Sequence, residues 1–230
     1  MVHTLIPLCS RFLNSSHRAA VAYGFPFMID LQDCDARLPS VGDATDLYMD
    51  ELVRLSILLG RVQKTIYGYA LIKNLSQCLT NVSPSGISST TDEILHGLFN
   101  DLKRWKEALP DHLKYKGGPE TPQTAGICRS GCNRCEFDSF SGLLHLLYSC
   151  VSMVFWRVFM RISYSCPAHL KFAMTIEQWA ELVKLSSECI DWLDAHEGIY
   201  DIWLIVAYAA TSCALVQVLS AYKSCLLQFG

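Results

Sequence analysis

Residues 90–113 read TTDEILHGLFNDLKRWKEALPDHL and contain the signals for one amphipathic α-helix. Thr90 and Glu93 fit a capping box, in which a hydroxyl and a carboxylate bind backbone N–H groups that the first turn leaves unpaired. Apolar residues then recur every three or four positions, as they do on one face of a helix, at Leu95, Leu98, Leu102, Trp105 and Leu109. Pro110 ends the helix because it has no N–H to donate and disfavours helical backbone in the residue before it.

An earlier helix has the same periodicity. It is predicted to begin near Asp46, and its apolar stripe steps by four and three alternately through Tyr48, Leu52, Leu55, Leu59, Val62, Ile66 and Tyr69. Residues 81–91 are rich in Ser, Thr, Pro and Gly, which is typical of a loop between the two helices. Residues 1–42 show no sustained period, so we expect an irregular lead-in segment there and a helical domain over residues 43–230.

The second half of the chain continues the helical pattern. Residues 114–141 contain several Gly and Pro and no apolar period, which predicts an unusually long loop. A third helix is predicted over residues 142–163, where the sequence is apolar nearly all round and therefore suited to burial on most sides. Thr175 and Gln178 suggest a capping box for a fourth helix that stops at Gly198. Its predicted buried stripe consists of Trp179, Val183, Ser186, Ile190 and Leu193.

Residues 199–227 are strongly hydrophobic, and no stretch of the chain shows the regular alternation typical of a β-strand. The predicted fold class is therefore all-α, an irregular array of roughly five to seven helices that forms part of a domain. The run 202–222 carries no charge and has the length of a bilayer-crossing helix, with 139–159 as its possible partner span. A core helix is the preferred interpretation, because Thr211, Ser212, Cys213 and Gln217 are small or polar groups suited to packing between helices.

The overall composition excludes some functions. The chain has 22 acidic and 19 basic residues that are interspersed, so it shows no basic patch of the kind that binds nucleic acid. Hydrophobic residues make up 51% and charged residues 18%, which indicates extensive burial. The 11 cysteines, with no evident secretory signal at the N-terminus, are interpreted as reduced intracellular thiols.

Several stretches match, in order, the pattern of one known family. The most specific is a Leu-x2-Trp-x3-Leu-Pro-x2-Leu pattern formed by Leu102, Trp105, Leu109, Pro110 and Leu113. A GFPF turn at 24–27, an acidic segment ending in Leu-Pro at 33–39, and a leucine-rich helix at 47–67 precede it. A helix containing LHLLY and then WRVF, within 144–159, follows it. In this combination the chain resembles the fungal-specific transcription factor domain, the middle homology region of zinc-cluster regulators such as the xylanolytic activators.

Three positions depart from the family pattern. Phe25 stands where the family's Gly-Arg-Pro turn usually has arginine, and Trp156 and Val158 alter the helix ending that usually reads His-Arg-Pro-Phe. The family's N-terminal zinc cluster and the first half of its regulatory region do not occur in this sequence. The resemblance therefore implies a truncated regulator that would contact DNA only through a zinc cluster that is absent from this chain.

The resemblance also implies a function. It predicts a non-enzymatic regulatory and interaction region that acts in the nucleus and modulates transcription by RNA polymerase II, without a cofactor or a membrane. The expected partners are other segments of the full-length regulator, coregulator proteins or a small-molecule inducer. It names no ligand-contacting residue.

Three cysteines, Cys128, Cys132 and Cys135, are the clearest candidate metal ligands, since zinc selects clustered thiolates. A binuclear zinc cluster needs six cysteines, however, and a structural single-zinc site needs four ligands. A fourth ligand would have to come from His112, Asp138 or His145. We therefore interpret the three cysteines as free thiols in a mobile loop and predict no metal site.

An acidic run, Asp30, Asp33 and Asp35, is similar to the aspartate-rich motifs of helical enzymes that hold diphosphate through magnesium. A second acidic cluster, which such enzymes need, is missing downstream, so a solvated turn is the preferred interpretation. A helical magnesium enzyme and a small helical membrane protein remain the alternatives to a regulatory domain.

Overall fold

The computed structural model describes residues 44–66, 88–116, 133–160, 171–196 and 204–229. Within these ranges the chain forms five helices and no strand, which confirms the all-α prediction. They are α1 (Ala44–Ile66), α2 (Ser88–Ala108), α3 (Asn133–Trp156), α4 (Ile176–Ala195) and α5 (Leu204–Phe229). The predicted lead-in segment at 1–42 lies outside the described residues.

Helix α3 lies at the centre of the fold, in contact with α1, α4 and α5. Most of its side chains from Ser141 to Trp156 are buried, because this part of the sequence is apolar or small nearly all round, as predicted. Leu144, Leu146, Leu147, Val151 and Phe155 are each at most 1% exposed. Burying a side chain of this size contributes about 1.5–3 kcal/mol, so α3 contributes substantially to hydrophobic stabilisation.

The predicted stripes of α1 and α2 form the wall packed against α3. From Tyr48 to Ile66, every stripe residue of α1 is at most 4% exposed. The α2 stripe is also buried, including Trp105 at 8% exposure and Leu109 at 7%. The three-and-four spacing therefore identified both buried faces correctly.

Several predicted boundaries of α2 and α3 are wrong. Helix α2 begins at Ser88, so Thr90 lies in its first turn and not at its N-cap. Helix α3 begins at Asn133 and ends at Trp156, so the part of the predicted loop from 133 to 141 is helical and the helix stops short of 163. Phe140 stacks on Tyr48 of α1 with ring centroids 4.4 Å apart, a tertiary contact that supports the extra turns of α3.

The start of α4 confirms the predicted capping box. The Thr175 hydroxyl accepts a hydrogen bond from the Gln178 N–H at 3.2 Å, and the Gln178 side-chain oxygen accepts one from the Thr175 N–H at 2.8 Å. The helix ends at Ala195, with His196 as its C-cap, and not at Gly198. It therefore stops three residues early because the His196 N–H already binds the Leu193 carbonyl.

The buried face of α4 differs from the predicted stripe. Its buried residues are Leu182, Leu185, Ser186, Cys189, Trp192 and Leu193. Ile190, predicted to be buried, is 36% exposed, and Trp179 is only partly buried beneath the Lys223 ammonium group, which lies 4.0 Å from its ring centroid. The face is rotated because α4 packs against both α3 and α5, and hydrophobicity alone did not indicate that arrangement.

Helix α5 is buried on one face only. Val206, Ala209, Cys213 and Val216 are at most 1% exposed, whereas Leu215 and Val218 are 58% and 65% exposed. Gln217 fixes α5 to α4, because its amide nitrogen donates to the Val183 carbonyl at 2.9 Å and to the Ser186 hydroxyl. Within the described segments, no helix combines the length and the hydropathy that a bilayer crossing requires.

A buried carboxylate joins the segment before α4 to α2. Asp92 accepts hydrogen bonds from the backbone N–H groups of Lys171, at 3.0 and 3.1 Å, and of Phe172, at 2.9 Å. Phe172 is thereby held against an aromatic cluster, with its ring 5.7 Å from that of Trp156 and nearly parallel to it. Asp92 therefore positions the chain that leads into the Thr175 cap.

Candidate functional site

A cavity of about 290 Å³ opens between the end of α2, the turn that follows it, α3 and α4. Its apolar wall comes from Trp105, Leu109 and Leu113, together with Leu185 of α4. Polar and charged side chains complete the lining, chiefly Lys106, His145, Glu181, Lys184 and Glu188. The volume lies at the lower end of the range of about 300–1,000 Å³ that is usual for small-molecule sites.

The turn after α2 shapes one side of this cavity. Pro110 stops the helix, and its carbonyl then accepts hydrogen bonds from the N–H groups of Leu113, at 2.9 Å, and Lys114, at 3.1 Å. The turn buries Leu113 completely and brings Tyr115 across to α3. The Leu-Pro-x2-Leu part of the motif therefore builds the cavity edge.

Two stacked ring pairs line the cavity. The rings of Trp105 and Tyr148 lie 5.6 Å apart at an interplanar angle of 16°, and those of Tyr115 and His145 lie 4.3 Å apart at 26°. Burial raises the pKa of Tyr148 to about 12, so its hydroxyl stays neutral at physiological pH. Both ring pairs therefore contribute aromatic surface to the cavity wall.

His145 contributes a largely buried imidazole to the cavity, with its side chain 9% exposed. Burial opposes its charged form, but contacts with Cys189 and Glu188 together outweigh burial and raise the pKa of the imidazole. The nearest Glu188 oxygen is 3.4 Å from Nε2. This contact does not meet hydrogen-bond geometry, so within the described residues no well-formed hydrogen bond reaches Nε2.

The cavity rim carries lysines whose charges are matched by nearby carboxylates, including Asp111, which lies outside the lining and binds Lys114 at 2.9 Å. Its lining contains three lysines, Lys106, Lys114 and Lys184, and two carboxylates, Glu181 and Glu188. Lys106 lies 3.6 Å from Glu181, and Lys184 lies 3.8 Å from Glu188. Because these pairs are long and largely exposed to water, they contribute little stability, and the lysines can exchange their partners for a bound anion.

Cys189 lies next to His145, and with Glu188 these residue types match those of a nucleophilic triad. The Cys189 sulfur is 2.8 Å from the Ser149 hydroxyl, and the residue is fully buried. The neighbouring Cys213 thiol and burial raise the pKa of Cys189 well above its usual range. A buried, protonated thiol does not act as a nucleophile, so the cluster is better suited to packing and to holding the imidazole.

The structure brings together few of the candidates named from the sequence. The acidic run at 30–35 lies outside the described residues, as do Cys128 and Cys132. Cys135 and Asp138 fall within the first turns of α3. Cys135 is therefore helical, and the prediction that it lies in a loop is wrong. His112 is exposed in the turn after α2, whereas His145 is buried. In the part of the chain that the structure describes, no three His, Cys, Asp or Glu side chains are arranged to hold a metal ion.

The sequence reasoning missed the charged residues of α4. Lys184 and Glu188 are four residues apart, a spacing that places them on one helical face, and this was the available signal. The predicted stripe of α4 assigned Ile190 to the core instead of Cys189, so Glu188 was not recognised as the partner of His145.

Comparisons with known proteins identify no relative of this chain. No protein family, curated protein or solved structure matches this chain.

Proposed function

We propose that the chain is a non-enzymatic regulatory and interaction region of a zinc-cluster transcription factor, and that it modulates transcription by RNA polymerase II in the nucleus. Contact with DNA would fall to a zinc cluster, which these residues do not supply. Its partners would be other segments of the full-length regulator, coregulator proteins or a small-molecule inducer.

One observation carries this proposal: the motif on which the resemblance depends most also builds the cavity. Leu102, Trp105, Leu109 and Leu113 are all buried, and Trp105, Leu109 and Leu113 line the cavity wall. A motif that served only to end a helix would not need a tryptophan and a leucine facing a shared space. This overlap between the family motif and the cavity wall favours a domain whose regulatory site lies at the end of α2.

The chemistry of the site supports binding more than turnover. The Cys189 thiol is buried and protonated, and the imidazole of His145 contacts Glu188 at 3.4 Å. Aromatic pairs, an apolar wall and a rim of exchangeable ion pairs are features that hold a ligand or a peptide segment.

A reporter assay tests the proposal. The full chain is fused to a heterologous DNA-binding domain that has no activity of its own, and transcription of a reporter is measured in yeast nuclei. We expect the fusion to change transcription several-fold relative to the DNA-binding domain alone. Trp105→Ala should alter the size of this effect on transcription. Trp179→Ala is a matched tryptophan variant away from the cavity, and it should leave the effect unchanged.

Two results would contradict the proposal. The first is a fusion that behaves like the DNA-binding domain alone at equal nuclear protein level. The second is retention of the chain in the membrane pellet after extraction with alkaline carbonate, which would favour the small helical membrane protein instead.

A further inference from the structure

We infer that the cavity binds a small planar aromatic carboxylate, whose ring packs against the aromatic walls and whose carboxylate is held by His145 Nε2 and the rim lysines. This inference rests on the proposed function, because it names the class of inducer for the same site. It depends on the cavity's shape, on one buried donor and on the balance of charge.

The first supporting feature is a buried hydrogen-bond donor, Nε2 of His145. His145 lines the cavity, its side chain is 9% exposed, and no well-formed hydrogen bond reaches Nε2 within the described residues. A buried donor without an acceptor is destabilising, so a ligand oxygen placed at Nε2 would be favourable. Glu188, at 3.4 Å, is close enough to favour the protonated ring but does not take this position.

The charge of the rim decides between an anion and a neutral ligand. The lining holds three lysines and two carboxylates, and Asp111, outside the lining, pairs with Lys114 at 2.9 Å. The ion pairs Lys106–Glu181 and Lys184–Glu188 are longer, at 3.6 and 3.8 Å. The Lys184 side chain is 77% exposed, so it is free to turn toward a bound anion. Since Asp111 offsets Lys114, the net positive charge at the cavity comes from protonated His145, and it favours a carboxylate over a cation.

The walls decide the shape of the ligand. Trp105 and Tyr148 form one stacked pair, and Tyr115 lies flat on His145. Flat rings favour offset stacking with another flat ring over contact with a bulky saturated ring. A cavity of about 290 Å³ suits a ligand of one or two rings.

Isothermal titration calorimetry on the purified full chain tests the inference with three probes. They are 2-naphthoate, its neutral analogue 2-naphthamide, and the saturated acid cyclohexanecarboxylate. We expect one site for 2-naphthoate, with binding of the other two weaker by at least about tenfold, the usual effect of losing a charge-assisted hydrogen bond or a stacked ring.

Matched variants locate the site. His145→Phe keeps a ring beneath Tyr115 but removes both nitrogens, and it should weaken 2-naphthoate binding by at least about tenfold. Lys184→Gln changes a well-exposed side chain, so it should fold normally, and it should weaken binding several-fold. The controls His196→Phe and Lys103→Gln change residues outside the lining and should leave binding unchanged.

Three outcomes would overturn the inference: no binding of 2-naphthoate at concentrations up to about 1 mM, equal binding of 2-naphthamide, or equal weakening by Lys103→Gln and Lys184→Gln. Failure of the proposed function is distinguishable. If 2-naphthoate binds as expected but the reporter fusion is inert, the ligand site is supported and the transcriptional role is contradicted.

Discussion

Gly142 of α3 lies directly against the indole of Trp192 of α4. A Cβ atom built on Gly142 would lie 2.0 Å from Cε2 and 2.1 Å from Nε1 of that indole. Trp192 is 5% exposed and stacks on His196 with ring centroids 4.6 Å apart, so the indole is fixed on both sides. The missing side chain at 142 thus sets how closely α3 and α4 approach.

We expect Gly142→Ala to destabilise the chain by about 1–3 kcal/mol, the usual effect of overpacking, because the new methyl group displaces a rigid buried ring. Gly97→Ala is the matched control, since nothing lies within 4 Å of the corresponding position in α2. It should instead stabilise by up to about 1 kcal/mol through helix propensity. Urea denaturation measures both, and a stable Gly142→Ala variant would refute the close approach.

Asp92→Ala should lower the free energy of unfolding by about 1–3 kcal/mol, because the buried N–H groups of Lys171 and Phe172 lose their acceptor. Asp92→Asn should lower the free energy of unfolding by less, since its amide oxygen can still accept a hydrogen bond from these N–H groups. Asp111→Ala provides the control, because that side chain is 92% exposed. Equal denaturation midpoints for Asp92→Ala and Asp111→Ala would show that the Asp92 contact contributes nothing.

Removing the N-cap of α4 should also lower the stability of the chain. Thr175→Ala deletes the hydroxyl that accepts the Gln178 N–H, and we expect a loss of about 1 kcal/mol. Thr211→Ala is the comparison, because the Thr211 hydroxyl only binds the Ala207 carbonyl of its own helix. Thermal unfolding followed by circular dichroism should show a lower melting temperature for Thr175→Ala only.

The His145–Glu188 contact predicts a pH dependence. The pKa of His145 is raised above 6.5, so its contribution to stability is complete below pH 6.5 and is lost as the pH rises through the folded-state value. The pKa of Glu188 is lowered below 4.5, mainly by His145, so its contribution is present above pH 4.5 and is lost as the pH falls. Both contributions are therefore present between pH 4.5 and 6.5.

Melting temperatures measured from about pH 5 to about pH 8 test this dependence. The wild-type chain should lose stability as the pH rises above 6.5, and His145→Phe should show a flatter profile over that range. His196→Phe should retain the wild-type slope. The groups that face His145, namely Glu188, Cys189 and Tyr115, are unchanged in both variants, so an identical slope in His145→Phe would exclude the imidazole as the cause.

Local patterns were sufficient for α1 and α2, whose buried apolar residues follow a single stripe with three-and-four spacing. The stripes of α1 and α2 and the Thr175 cap followed directly from spacing and from side-chain hydrogen bonding. The start of α3 was missed because the cues for a loop, Gly and Pro, were extended beyond the residues that carry them. The buried face of α4 was misplaced at Ile190 because contacts with α3 and α5 set the rotation of this helix, which spacing within α4 does not encode.

The sequence by itself determined the helical class, the buried stripes of α1 and α2 and the capping of α4, because each depends on residues within a few positions of one another. Only the tertiary structure placed His145 beside Glu188, Trp105 against Tyr148, and Gly142 beneath Trp192. These contacts join residues on different helices, and their formation depends on helix crossing and rotation, which periodicity within one helix does not encode.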